Sequence, residues 1–185
     1  IADGDWSSDV CSSDLVEALT RCGLRAVGVD TSAYAISRAR QLGRVATPLI
    51  DGGIDDPRLV ALAPVDVVTL MDVLEHLRDP VAMIRKAARL TTPGGRLLIL
   101  TPRYDGKLLA VQGARYVHFN RDHIYYFTEP TLRGVIEAAI AGAAIVMRDV
   151  LAMFRHWEAD PGPAVWHKYS VERESILAVI AGPGG

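Results

Sequence analysis

The feature that most constrains this fold is the alternation of short apolar runs with amphipathic stretches between positions 24 and 100. "LRAVGVD" (24–30) is an apolar run closed by Asp30. Thr31 or Ser32 can then cap a helix running through Leu42, with Ala35, Ile36, Ala39 and Leu42 on one face and Gly43 as its stop. "VATPLI" (45–50) reads as a second strand, ending at Asp51. "VDVVTLM" (65–71) is continuous and rich in β-branched residues, as expected of a strand covered on both faces of a parallel sheet. Asp79 and Pro80 form an N-cap with a first-turn proline, and the helix they start puts Val81, Ile84, Ala87 or Ala88, and Thr91 on its core side. "TPGG" (92–95) predicts a tight turn and "RLLIL" (96–100) another strand. This rhythm predicts an α/β chain with a doubly wound, Rossmann-like, mostly parallel sheet.

The later residues read differently. Thr128 is a candidate N-cap with Glu129 and Pro130 in the first turn, and Leu132, Val135, Ile136, Ala139 and Ile140 form an apolar face. "AAIVMRDVLAMF" (143–154) predicts an antiparallel strand, "EADPGP" (158–163) a break, and "VERESILAVI" (171–180) a last helix before a frayed "AGPGG". Half of the 185 residues are hydrophobic, enough for one domain with a sizeable core. The net charge of −2, with no basic stripe, argues against a nucleic-acid partner. The apolar runs are too short to span a bilayer, and no signal peptide is visible. Cys11 and Cys22 have no partner at metal-ligand spacing, so a reduced, cytoplasmic setting is the expectation.

In open α/β sheets a ligand sits at the carboxyl ends of the strands, where strand order reverses. Asp30, Asp51 and Asp72 all stand at such ends. A carboxylate at Asp30 can accept two hydrogen bonds from the vicinal hydroxyls of a ribose. It can equally serve as a cap for the following helix, and the residues alone leave both readings open.

The combination of "VDVVTLMDVLEHLRDP" with "LTTPGGRLLILTP" resembles the class I S-adenosylmethionine-dependent methyltransferases. It is most similar to the subgroup containing ubiquinone-type O-methyltransferases and many small-molecule methyltransferases. "HFNRDHIYYFTEPTLRGVIEAA" resembles the segment that follows the fifth strand there, so the resemblance covers roughly positions 16 to 150. It implies methyl transfer from S-adenosylmethionine to a small-molecule acceptor, expected at oxygen. It also implies that Asp30 holds the ribose hydroxyls, that Asp51 meets the adenine amino group, that Met71 flanks the cofactor, and that Thr31, Gly52 and Asp72 belong to the same cofactor site. Met71 reads otherwise as ordinary core. Asp72, Glu75 and His76 have D-x-x-E-H spacing. Some relatives with E-x-x-E-H bind a divalent cation with a downstream histidine, a place His118 or His123 can take, whereas many carry "LEH" without a metal. No metal is expected here, with Glu75 and His76 hydrogen-bonding the loop around Arg78 and Asp79. His76 and His123 are then candidates for the general base, because imidazole titrates near neutral pH. "RYDGKLLAVQGARYVHFNRDH" (103–123) is expected to line a pocket for a polar or aromatic acceptor. A nicotinamide-dependent oxidoreductase is a competing reading of Asp30, but "LEHL", "TPGG" and the lack of a Tyr-x-x-x-Lys pair argue against it. A non-catalytic Rossmann-like binding domain is the third.

The stretch "DWSSDVCSSDL" (5–15) precedes the first helix, where the family carries a first strand and a D-x-G-x-G-x-G loop. The three glycines would fall at Asp9, Cys11 and Ser13, whose side chains intrude on cofactor space and for which positive φ is costly. These residues match, residue for residue, the translation of a sequencing adapter. Positions 1–15 are therefore expected to be non-native, followed by the methyltransferase domain at 16–154 and its extension at 155–185. Cofactor binding by this chain is expected to be impaired.

Overall fold

The computed structural model describes residues 11–41, 49–116, 118–150 and 175–181. They form two compact units, one within 1–64 and one within 65–185.

In the first unit, helix α1 (Cys11–Arg21) buries Val16 beside strand β1 (Gly28–Asp30). A Cβ on Gly28 would stand 2.8 Å from the Leu49 side chain and 3.1 Å from that of Val16, so glycine permits the close approach. Strand β1 pairs in parallel with β2 (Leu49–Asp51), which sets Asp30 beside Asp51 at their carboxyl ends. The strand expected over 24–30 is shorter than its apolar run. The pairing starts at Gly28, while Leu24 and Val27 lie exposed. Positions 45–48 of the second expected strand lie outside the described residues. Helix α2 (Ala33–Gln41) buries Ala35, Ile36 and Ala39, as its periodicity predicts. Ser32 is its cap, its Oγ accepting from the Ala35 N–H at 3.1 Å, and Leu42 and Gly43 lie outside the described residues. A short helix α3 (Pro57–Val60) starts at Asp56, whose carboxylate accepts from the Arg58 N–H.

In the second unit, β3 (Val65–Met71), β4 (Thr91–Pro102), β5 (Ile145–Val150) and β6 (Ser175–Ala181) form a sheet of order β3-β4-β6-β5. Strands β3 and β4 are parallel, and β6 runs antiparallel to both β4 and β5. The antiparallel strand expected from 143 is β5, and its positions 151–154 lie outside the described residues. The hydrogen-bonded strands thus fall in two sheets rather than the single one expected. "TPGG" is an excursion inside β4: Thr91 pairs with Val65 and Arg96 with Val67, so Thr92–Gly95 oppose Asp66 alone. Gly94 takes the turn at φ 79°.

Two expectations fail here. Strand β3 is not covered on both faces: Val67 is 50% exposed. The helix expected over "VERESILAVI" is strand β6 from Ser175 onward, with 171–174 outside the described residues. Its apolar residues are claimed from both edges by β4 and β5, and Ile176, Ala178 and Ile180 are fully buried there. Pairing on two sides outweighs a local helical pattern.

Helix α4 (Pro80–Arg89) is capped by Asp79, whose Oδ1 accepts from the Ala82 N–H at 2.8 Å. Strand β4 leads by way of Arg103 and helix α5 (Lys107–Gln112) to a loop at 116–128 and helix α6 (Glu129–Ala139). Thr128 and Thr131 close a capping box at the start of α6. Helices α4 and α6 pack together, with Ile84, Leu132 and Ile136 fully buried and the Arg85 guanidinium donating to the Ala138 carbonyl at 2.7 Å.

Candidate active site

The expected cofactor residues of the first unit come together. Asp30, Thr31, Asp51 and Gly52 all lie at the carboxyl ends of β1 and β2, and the Gly52 N–H donates to the Asp30 carbonyl at 2.9 Å. The Asp30 carboxylate bonds within the turn that follows β1. Oδ1 accepts from the Ser32 N–H at 2.8 Å and so shapes the turn into α2. Oδ2 has no partner among the described residues. The capping itself falls to Ser32, which leaves Asp30 able to accept from a ligand. Gly52 suits its place, because a Cβ there would collide with the Asp56 carboxylate. That carboxylate is held by a bidentate Arg58, which drops Asp56 to about 2, while Arg58 also donates to the Asp51 carbonyl at 2.7 Å. Of the positions where glycines would be expected, Cys11 and Ser13 belong to α1, and Asp9 lies outside the described residues.

In the second unit, Met71 ends β3, and the Asp72 N–H extends the ladder by donating to the Leu100 carbonyl at 2.9 Å. Asp72 has φ 51°, a left-handed conformation that is unusual for a residue other than glycine. The chain then makes a 3-10 turn over Leu74–His76. Glu75 is 1% exposed, and its Oε2 accepts from the Thr101 hydroxyl of β4 at 3.0 Å. Its main-chain carbonyl accepts from the N–H groups of Ile124 and Tyr125, at 2.7 and 3.1 Å. Oε1 is buried with no partner. The expected bonding of Glu75 and His76 to the Arg78–Asp79 loop is therefore corrected. Glu75 binds Thr101, and His76 Nδ1 lies 3.0 Å from the Asp122 carbonyl. It is Tyr125 that reaches Arg78, donating its hydroxyl to the Arg78 carbonyl. The physical reason is the loop at 116–128, which folds back over the 3-10 turn and supplies nearer partners.

That loop presents His123. Asn120 Oδ1 accepts from the N–H groups of both Asp122 and His123 at 2.9 Å, an Asx turn that aims the imidazole inward. His123 meets His76 edge to face, with ring centroids 4.7 Å apart, and lies near-parallel to His118 at 6.2 Å. One oxygen of Glu75 and one nitrogen each of His76 and His123 lie within 4.8 Å of one another, a spacing that one water or one cation can bridge. Of the two downstream histidines, His123 is the one in this group. Burial, aided by the charge of Asp72, pushes the Glu75 carboxyl up to about 8. Burial also raises Asp72. His118 and His123 are held down to about 4, chiefly by burial and then by the neighbouring imidazoles, so both rings are neutral at pH 7. Beside them Tyr104, Phe119 and Tyr126 form an aromatic cluster, with Tyr126 at 6.1 Å from His123. Sequence reasoning missed Thr101 and Asn120, since nothing in a strand-end threonine or a loop asparagine announces its distant partner.

The sequence model of the methyltransferase-domain family matches residues 10–139. The ubiquinone biosynthesis O-methyltransferase of Xanthomonas oryzae pv. oryzae (strain PXO99A) is 33% identical over 108 residues, covering 56% of this chain and 45% of the relative. That of Ralstonia nicotianae is 38% identical over 108 residues, with the same coverage of both chains. The chain thus spans less than half the length of these curated relatives. Among solved structures, magnesium protoporphyrin IX methyltransferase from Synechocystis PCC 6803 with bound SAH superposes with TM-score 0.61 at 19% identity, over 92% of this chain and 70% of that one. The putative methyltransferase in complex with the Haloferax volcanii Trm112 activator gives TM-score 0.66 at 20% identity, over 93% and 79%. At these identities the superpositions speak for the fold. With the family's sequence pattern running through α1, both strand-end acids, the Glu75 turn and α6, this chain belongs to the methyltransferase-domain family, of the class I S-adenosylmethionine-dependent kind.

Proposed function

We propose that the chain carries the cofactor- and acceptor-handling residues of an S-adenosylmethionine-dependent methyltransferase that acts on a hydroxyl of a small molecule. The observation that carries the proposal is the cluster of Glu75 and His76, on the turn that directly follows a strand-end acid, with His123 of the later loop: polar atoms within 4.8 Å of one another. The residues at the ends of β1 and β2 suit the nucleoside. Asp30 Oδ2 is available to ribose hydroxyls, and Asp51 offers an acceptor to an adenine amino group. Met71 takes the cofactor-flanking role that the family resemblance gives it, with Asp72 next to it in the chain. When bound, the cofactor supplies an activated methyl group on a sulfonium leaving group.

The protein's own work is orientation and proton removal. A neutral imidazole is competent to take a proton from an acceptor hydroxyl, and His76 and His123 are the two candidates beside the buried carboxyl. The O-methyltransferases among the relatives support oxygen as the acceptor atom. The exposed rims of Tyr104 and Phe119 suit a planar or partly apolar acceptor body.

The test is a methyl-transfer assay with labelled S-adenosylmethionine and a panel of hydroxylated acceptors. It uses a chain in which positions 1–15 are replaced by a family-type strand and a D-x-G-x-G-x-G loop. Transfer to a hydroxyl that survives EDTA and falls at least tenfold in His76→Asn or His123→Asn supports the proposal. Activity lost to EDTA and restored by magnesium or zinc would replace the metal-free reading with one in which Glu75, His76 and His123 hold a cation.

A further inference from the structure

The two candidate imidazoles are not equivalent, and Glu75 tells them apart. His76 Nδ1 lies 3.0 Å from the Asp122 carbonyl. A carbonyl only accepts, so in neutral His76 the proton sits on Nδ1 and the lone pair on Nε2. His123 Nδ1, in contrast, is buried without a partner, and so is Glu75 Oε1. Glu75 has no freedom to turn away. Thr101, itself fully buried, donates to Oε2, and the Glu75 carbonyl grips the backbone just beyond His123 through Ile124 and Tyr125. Glu75 and His123 both belong to the cluster in which they and His76 each bring one polar atom within 4.8 Å of the others, a spacing that one water can bridge.

We infer that Glu75 is a positioning residue that donates through Oε1, directly or across one water, to His123 Nδ1, so that His123 presents an Nε2–H donor and His76 an Nε2 acceptor. This deepens the proposed function and rests on its reading that these imidazoles handle the acceptor's proton. His76 is then the base, and His123, whose ring also bonds to the His118 backbone, is fixed beside it. The groups facing the pair are Asp72 from the end of β3, Glu75 on the 3-10 turn, and His118 and Asp122 on the loop. Thr101 of β4 is uncharged. The carboxyl's displacement to about 8 agrees with a proton on Glu75 at neutral pH.

Long-range proton–nitrogen correlation spectra of the chain as it stands, labelled with nitrogen-15 histidine and held in EDTA, test this without cofactor or acceptor. The neutral form of His76 is expected as the Nδ1–H tautomer, and His123 at pH 7 as the Nε2–H tautomer, each assigned by its His→Asn variant. Glu75→Gln, whose amide still donates, should keep the His123 tautomer even above pH 8, where the wild-type chain loses it. Glu75→Leu should give a mixture. A His123 that is Nδ1–H at pH 7, or that is the same in Glu75→Leu as in Glu75→Gln, overturns the inference. If Glu75→Leu does not fold, Thr101→Val decides: mixed His123 tautomers support the inference and unchanged ones overturn it. The predicted tautomers together with full methyl transfer in His76→Asn would sink the proton-handling reading and leave the positioning role standing.

Discussion

The buried cluster should give this chain a stability maximum near pH 6.5, and Glu75→Gln should remove its alkaline side. Burial, with Asp72 nearby, raises the Glu75 carboxyl from 4.5 to about 8. Between those values the folded chain keeps a proton that the unfolded chain has released, so stability falls as pH rises. His118 and His123 act in the opposite sense. Lowered from 6.5 to about 4, they stay neutral in the folded chain while the unfolded chain takes up protons below 6.5. Stability therefore also falls as pH drops from 6.5 towards 4, and the raised Asp72 partly offsets that fall. Between pH 6.5 and 8 only Glu75 among the shifted groups still titrates. At about 1.4 kcal/mol per pH unit, this window costs about 2 kcal/mol. With a urea slope on the order of 1–3 kcal/mol per molar, the midpoint should drop by about 1 M. Urea titrations of both chains at pH 6.5 and 8 give the readout. A wild-type chain equally stable at both values, or a Glu75→Gln chain with the same loss, would refute the reasoning.

Two further substitutions probe the frame that holds the site. Ile136→Ala removes a fully buried side chain where α6 packs on α4 and should cost about 2–5 kcal/mol, read by urea unfolding. Thr128→Ala breaks the capping box that starts α6 directly after the His123 loop, and should cost about 1 kcal/mol with little change in the far-ultraviolet spectrum at 25 °C.

What was legible in the sequence was what neighbours within a few residues decide. The caps at Ser32, Asp79 and Thr128 and the buried stripe of α2 follow from local spacing, and the structure carries each of them. The strand-end placement of Asp30 and Asp51 was equally legible, because apolar runs closed by an acid mark it. Partners far along the chain were not legible. "SILAVIA" fits a helix or a buried strand, and only β4 and β5 on either side of it decide for the strand. Val67 lies half exposed in a run whose composition reads as fully buried, because what packs over a strand's faces lies far along the chain. Glu75 stood out within "LEH", but its burial depends on Thr101, 26 residues away, and on the Asn120 turn that folds the His123 loop back.

The proposed nucleoside site at the ends of β1 and β2 should bind once a glycine loop precedes α1. Calorimetry with S-adenosylhomocysteine tests it on three proteins: the chain as it stands, the chain with positions 1–15 replaced by a strand and a D-x-G-x-G-x-G loop, and that second chain carrying Asp30→Ala. Weak or undetectable binding is expected in the first and clear binding in the second. In the third, binding should weaken by about 1.5–3 kcal/mol, the scale of hydrogen bonds to a charged group. Because Asp30 Oδ1 also accepts from the Ser32 N–H, an Asp30→Asn control keeps that turn while removing the charge, and it too should bind more weakly than the second chain. Equal affinity in the first two proteins would mean that the serine-rich segment is itself a working loop. Equal affinity in the second and third would reduce Asp30 to a turn residue and contradict the account.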